Sequence, residues 1–164
     1  MRSQSSKLPH RAMVLAAGFG KRLRPLTTYY AKPALPLLGR PMIEYTLRSI
    51  ARQGIRDVVV NLHHRPETLE PALERASETL SLHRSFESEI LGTAGGLKKA
   101  ADLLGQGVFL LLNGDTLCDF DLPKMSEVHA RTKAKATLLL RPRPAGGGYS
   151  GVRVGSRGEV LGIE

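Results

Sequence analysis

The stretch Ala12-Met13-Val14-Leu15-Ala16-Ala17-Gly18-Phe19-Gly20-Lys21-Arg22-Leu23-Arg24 decides how the rest of the chain is read. Residues 12–17 are apolar without alternation, the mark of a strand buried on both faces of a parallel sheet. The run ends in two glycines and three cations. Glycine lets backbone N–H groups come close to phosphate oxygens, and neighbouring Lys and Arg supply the opposing charge. The generic phosphate motifs do not fit: a G-x-G-x-x-G fingerprint needs glycine where Leu23 stands, and a Walker loop needs Ser or Thr where Arg22 stands. On the local pattern alone, an ordinary strand-to-helix turn carrying exposed cations explains the loop equally well.

Outward from that strand, apolar runs alternate with amphipathic ones, as a sheet with crossover helices requires. Residues 41–53 carry Ile43, Leu47 and Ile50 on one face, with Pro41 at the start and Gly54 beyond the end, which predicts a helix. Residues 57–62 (DVVVNL) predict a second buried strand, and 66–76 a helix with Leu69 and Leu73 facing inward. A weaker strand is expected at 82–87, then a glycine-rich turn at 92–96 and a helix to 104. Residues 108–112 form the clearest strand of the second half and run into Asn113-Gly114-Asp115. Asp121 is placed to cap a helix to 132. A further strand is expected at 136–140, then a Pro- and Gly-rich loop, then a hairpin of 151–154 and 159–163. The pattern predicts an α/β fold, a Rossmann-like three-layer α/β/α arrangement around a mostly parallel mixed sheet. Residues 1–10 read as a flexible basic extension and 11–164 as one domain.

The 164 residues are 41% apolar and 24% charged, which excludes a disordered chain. No apolar run approaches the roughly 20 residues of a membrane-spanning helix. The polar, basic start MRSQSSKLPHR is followed by too short an apolar run for a signal-peptide core, so the cytoplasm is expected. Cys118, the single cysteine, forms no internal disulfide and is expected as a small buried hydrophobe.

Lys plus Arg number 24 against 15 Asp plus Glu, and this surplus of nine positive charges predicts an anionic partner. The cations are dispersed. Arg48, Arg52 and Arg56 recur at helical spacing as a solvated face, and Arg131, Lys133 and Lys135 fall at a helix-to-strand junction. Aromatic residues are 5% with no Trp, and no RNP, KH or zinc-finger spacing is present, so nucleic acid is unsupported as a partner. Phosphate on a small molecule fits the charge equally well.

After the glycine loop come Lys32-Pro33, Pro36 and Gly39-Arg40-Pro41-Met42. The whole string LAAGFGKRLRPLTTYYAKPALPLLGRPMIEYTL resembles the signature of the sugar-1-phosphate nucleotidyltransferases, L-x-x-G-x-G-x-R-L-x-P-L-T followed by K-P and a proline before the next helix. The resemblance implies a nucleotide held by Leu15, Ala17, Gly18, Gly20 and Lys21, a triphosphate held by Arg22, and phosphoryl charge neutralised by Lys32. It also makes Asp115 of Asn113-Gly114-Asp115 a Mg²⁺ ligand, with Asn113 and Gly114 beside the nucleotide. A single carboxylate plus substrate phosphates is how this ion is usually held. Without the resemblance, Asp115 reads as a turn-forming residue. Leu91-Gly92-Thr93-Ala94-Gly95-Gly96 resembles the family loop that reads base and ribose, and its L-G-T-A-G form is similar to that of mannose-1-phosphate guanylyltransferases; Thr93 as a helix cap is the structural alternative. Asn61 and His63 could line the same pocket, but His63 and His64 point to opposite sides of an extended segment, and a solvated loop is expected there.

The implied reaction transfers a nucleoside monophosphate from a nucleoside triphosphate to a sugar-1-phosphate and releases pyrophosphate. Arg22, Lys32 and Asp115 would be catalytic, Mg²⁺ the cofactor, and a GDP-mannose-like product the first expectation ahead of a UDP-sugar. Members of that family continue into an E-K-P segment and a second metal-binding Asp, so the resemblance implies a sheet incomplete at its C-terminal end. Here the acids after Asp121 are Glu127, Glu159 and Glu164, none in that motif. Weak or absent turnover by these 164 residues alone is therefore expected, with a non-catalytic nucleotide-binding module as the alternative. The sugar, the base and the oligomeric state stay open.

Overall fold

The computed structural model describes residues 8–142 and 150–163. Residues 1–7, Arg143, Pro144, the glycines 146–148 and Glu164, on which several of the expectations above fall, lie outside the described residues.

β1 (Arg11–Leu15) leads into a 3₁₀ turn at Lys21–Leu23, the short α1 (Leu26–Tyr29), a second 3₁₀ turn at Lys32–Ala34, and a two-stranded ribbon of β2 (Pro36–Leu37) and β3 (Arg40–Pro41). α2 (Met42–Arg52), β4 (Asp57–Leu62), α3 (Glu70–Ala76) and β5 (Ser81–Phe86) complete the first half. α4 (Gly92–Lys99), α5 (Ala101–Leu104), β6 (Phe109–Asn113) and α6 (Leu122–Thr132) follow, and the hairpin of β7 (Val152–Val154) and β8 (Val160–Ile163) closes the described chain. The main sheet has the order β5-β4-β1-β6, and each of its pairings is parallel.

The alternation of side chains across a strand sorts the core into two layers. Ala12 and Val14 of β1, with Val58, Val60 and Leu62 of β4, face Ile43, Leu47 and Ile50 of α2 and Leu69, Ala72 and Leu73 of α3. Met13 and Val59 face the other way, onto Ala100 and Leu104 at the α4–α5 junction. β1 and β4 are thus covered on both faces, which is why their sequences run apolar instead of alternating. Each such Val or Leu contributes about 1.5–3 kcal/mol by leaving water.

Most predicted elements form, and the differences have local causes. The expected helix at 66–76 is broken into a 3₁₀ turn at Pro66–Thr68 and α3, whose first turn holds Pro71, a place where a missing N–H costs little. The glycines expected as a turn at 92–96 are the first turns of α4, and Thr93 caps nothing, since Leu91 takes the N-cap place with no side-chain bond. Asp121 does cap α6, accepting from the Lys124 N–H at 2.9 Å. The expected strand at 136–140 is not formed. Leu138, Leu139 and Leu140 stand about half exposed, with no ladder among the described residues; a β-prone sequence without a partner strand has nothing to receive its backbone groups. Cys118 is exposed instead of buried, in the loop after β6. Desolvation and the neighbouring Asp119 charge hold its thiol above the usual range, away from a reactive thiolate.

Two ionic clusters join neighbouring elements. Glu44 of α2 is buried and accepts from Arg75 of α3 at 3.1 and 2.6 Å, while Arg40 and Arg48, one turn to either side, stand 3.7 Å off. At the amino end of the sheet Asp57 accepts from Arg11 at 2.8 Å and from His83 at 2.7 Å. Desolvation pushes the Asp57 carboxyl up, but the hydrogen bonds and charges of Arg11 and His83 outweigh it and hold the group below its ordinary value. A carboxyl lowered on folding stabilises fully above its unfolded pKa, and that stability is lost as pH falls through the folded value. Denaturant midpoints are therefore expected to fall on acidification below about pH 4, and Asp57→Asn to flatten that part of the profile. An unchanged acid limb in the variant would contradict the assignment.

Candidate active site at the carboxyl end of the sheet

β1, β4 and β6 end level with one another: Leu15 pairs in register with Asn61 on one side and Asn113 on the other. This row floors a cleft of about 950 Å³, at the strand ends where open α/β sheets place their ligands. Of the residues singled out in the sequence, Leu15, Ala17, Gly18, Gly20, Lys21, Arg22, Lys32, Gly92, Thr93, Asn113 and Asp115 all line it. Gly114 sits below the surface. Its N–H donates to the Leu15 carbonyl at 2.9 Å, and a Cβ there would fall 3.2 Å from that oxygen, so β6 leaves the sheet tight against β1 only because this residue is glycine.

The cationic loop is held from beneath. Gly20 adopts the left-handed conformation (φ 60°), and a Cβ on it would stand 2.8 Å from Thr27 Cγ2. The buried Thr27 hydroxyl donates to the Gly20 carbonyl at 3.0 Å. Phe19, between the two glycines, packs against the His63 and His64 rings with centroids 5.3 and 5.4 Å away. His64 Nε2 donates to the Thr27 carbonyl at 2.6 Å, and Arg65 Nε to that of Thr28 at 3.0 Å. The segment expected as a solvated loop is therefore a clamp, since these rings pay for partial burial with hydrogen bonds to carbonyls that the loop leaves unpaired. Lys21 and Arg22 are exposed, the Lys21 ammonium lying 5.6 Å from the Phe19 ring centroid, and among the described residues no carboxylate pairs with Arg22.

Lys32 packs beside the loop, where a Cβ on Gly20 would stand 3.0 Å from its own Cβ, and opens its 3₁₀ turn with Pro33 and Ala34 buried next to it. Lys32 Nζ reaches Asp115 Oδ2 at 2.6 Å. Asp115 Oδ1 accepts only a long contact, 3.4 Å, from Thr116 Oγ1. No group of three or more His, Cys, Asp or Glu that could hold a metal ion occurs among the described residues. The donor set at Asp115 is one carboxylate, which suits a hard cation that takes its remaining ligands from phosphate oxygens and water, and does not suit a self-contained protein cage.

Sequence reading missed the buried acid of the cleft. Glu87, 5% exposed, follows β5 and accepts from Asn61 Nδ2 at 2.7 Å and from the Leu91 N–H at 3.0 Å. Asn61, 3% exposed, in turn accepts from the Ala16 N–H at 2.8 Å. His63 Nδ1 donates to the Glu87 carbonyl at 2.9 Å. Asn61 thus ties the start of the cationic loop to the segment that leads into α4. Gly96 makes room for it, since a Cβ would stand 2.8 Å from Glu87 Oε1 and 2.9 Å from Asn61 Nδ2. The available signal was an acid directly beyond a strand, the same pattern as Asp115 beyond β6, but one embedded in a weakly patterned run.

A doubly wound sheet with a cationic glycine loop and an acid at adjacent strand ends is the frame of a nucleotide-handling enzyme. Residues 11–164 match the Nucleotidyl transferase family, and the chain belongs to it. It is 37% identical over 134 residues to mannose-1-phosphate guanyltransferase of Aspergillus oryzae and 33% identical over 133 residues to that of Saccharomyces cerevisiae. In each case the match covers 79% of this chain and 37% of the relative, so the chain spans little more than a third of the curated relatives' length. Its fold is similar to that of a putative glucose-1-phosphate thymidylyltransferase from Bacillus anthracis, with a TM-score of 0.80 and 22% identity over 94% of this chain and 63% of that one. A UDP-glucose pyrophosphorylase complexed with UDP-glucose gives a TM-score of 0.65 at 18% identity, covering 75% and 54%. No helix among the described residues is long and apolar enough to cross a membrane.

Proposed function

We propose that this cleft takes a nucleoside triphosphate and a sugar-1-phosphate and joins them with release of pyrophosphate. The observation that carries the reading is that the glycine loop, Lys32 and Asp115 open onto one cleft. A phosphate oxygen of the sugar-1-phosphate attacks the α-phosphorus, a P–O bond forms, and the bond to the β-phosphate breaks. The nucleophile arrives as an anion, so no residue need act as base. The chain's task is to position two polyanions and offset the charge between them. Backbone N–H groups of the loop at Gly18 and Gly20 face the phosphates, Arg22 and Lys21 carry positive charge at the rim, and Lys32 does so from beside Gly20. Asp115 would hold Mg²⁺, which supplies further neutralisation of the phosphates when bound.

Glu87 favours guanine among the bases. A buried carboxylate only accepts hydrogen bonds, and guanine offers two adjacent donors, N1–H and the 2-amino group, where uracil and thymine offer one. GTP is thus the proposed nucleotide and mannose-1-phosphate the proposed acceptor, in keeping with the relatives' names.

The test is to incubate the purified chain with Mg²⁺, mannose-1-phosphate and either GTP or UTP, following pyrophosphate release and nucleotide binding together. Release with GTP supports transfer. Binding without release assigns a non-catalytic nucleotide-binding module, and no binding of either nucleotide overturns both readings. Arg22→Ala is expected to weaken GTP binding by about 10- to 100-fold, the scale of one hydrogen bond to a charged group, and to change mannose-1-phosphate binding far less. Equal losses for both ligands, measured by calorimetric titration, would remove Arg22 from the triphosphate.

A further inference from the structure

Asp115 already has a cation. Lys32 Nζ lies 2.6 Å from its Oδ2, and the two side chains are 28% and 26% exposed, so the pair is partly shielded from water on the wall of the cleft. A bare divalent ion arriving here must displace this ammonium from the carboxylate, and the described residues offer no cluster of further protein ligands to offset the exchange. Triphosphate oxygens alter the balance in two ways. They attract Lys32, and they bring the missing ligands for a hard cation. Lys32 has the means to respond: its backbone is fixed by the buried Pro33 and Ala34, while its ammonium rides on a flexible four-carbon stem.

We infer that Lys32 is an internal stand-in for the metal, occupying Asp115 until phosphate draws it across, so that the cleft binds metal and triphosphate together and the metal alone only weakly. The inference rests on the transferase reading of the cleft and adds to it a reciprocal coupling between the two ligands. Lys32 then exchanges one anionic partner for another. Its charge is never left unpaired, and Asp115 is never an uncompensated carboxylate in a half-shielded site.

Mn²⁺ is a suitable probe, because electron paramagnetic resonance counts the free ion without any turnover. For the 164-residue chain, Mn²⁺ alone is expected to bind weakly, and a GTP analogue with a methylene bridge between the α- and β-phosphates to tighten it by about tenfold or more. Lys32→Met is expected to tighten binding of Mn²⁺ alone by about tenfold and to shrink the coupling. Lys32→Arg, which keeps the charge, should restore the weak binding, and Asp115→Asn should abolish it in every background. Lys32→Gln serves the same purpose should the Met variant misfold. Mn²⁺ binding alone that is no tighter without the Lys32 charge overturns the inference, as does a wild-type coupling below about threefold. Failure of the analogue to bind the wild-type chain would instead defeat the transferase reading, and the Mn²⁺-alone comparison would still decide the role of Lys32.

Discussion

Asn61→Ala is expected to cost about 3 kcal/mol of folding stability, a large loss for a single polar side chain. The change leaves the Ala16 N–H without its acceptor and Glu87 Oε1 without its donor, both in a region a few per cent exposed. A buried donor or acceptor stripped of its partner costs about 1–3 kcal/mol, and a carboxylate more than a neutral group. Glu87 keeps its bond from the Leu91 N–H, which limits the damage. Nucleotide affinity should fall with stability, because Asn61 fixes the start of the cationic loop. Urea unfolding at neutral pH measures the first effect and nucleotide titration the second. A stability loss below about 1 kcal/mol would mean that water replaces the amide and that the buried network is not a structural tie.

Asp115→Ala should have the opposite profile, with little loss of stability and a large loss of function. Its side chain is partly exposed, and its removal frees Lys32 without burying an unpaired group. In a chain that turns over, the rate should fall by about 10²–10³-fold, the usual scale for deleting one preorganised electrostatic contact. Metal-independent nucleotide binding should hold or strengthen, because Lys32 becomes wholly available to phosphate. Unchanged turnover would show that the metal is held elsewhere, and a collapse of metal-free binding would show that Asp115 acts on the nucleotide directly.

The strands buried on both faces were legible because burial writes itself into composition: residues 12–17 and 57–62 have no polar alternation to suggest anything else. Asp121 as a cap and the hairpin around Gly155 and Gly158 were legible for equally local reasons. The strand expected at 136–140 fails because pairing is not a local property. Thr137, Leu138 and Leu139 suit a strand, yet no neighbouring ladder receives them among the described residues. The glycines at 92–96 misled in the other direction, since two of them serve close packing inside a helix: Gly96 against Asn61 and Glu87, and Gly95 against Leu91. Gly18, Gly20, Arg22, Lys32 and Asp115 were reachable only through the family signature they resemble, and the structure adds that all five line one cleft. Glu87 and the Phe19 clamp were not, because each depends on which residues from other strands arrive beside it.

Asn61 has a consequence for how such a protein could change its diet. The cationic glycine loop and the segment from Glu87 into α4 are separate pieces of chain, joined by this amide and by His63, which packs on Phe19 and donates to the Glu87 carbonyl. On the proposed function, a switch of base preference would be sought within residues 87–93, with the amide kept in place. Glu87→Gln would keep an acceptor for Asn61 only by turning its amide NH2 against the Leu91 N–H, so a thymidine- or uridine-accepting variant is better begun at Thr93, which lines the cleft outside this network.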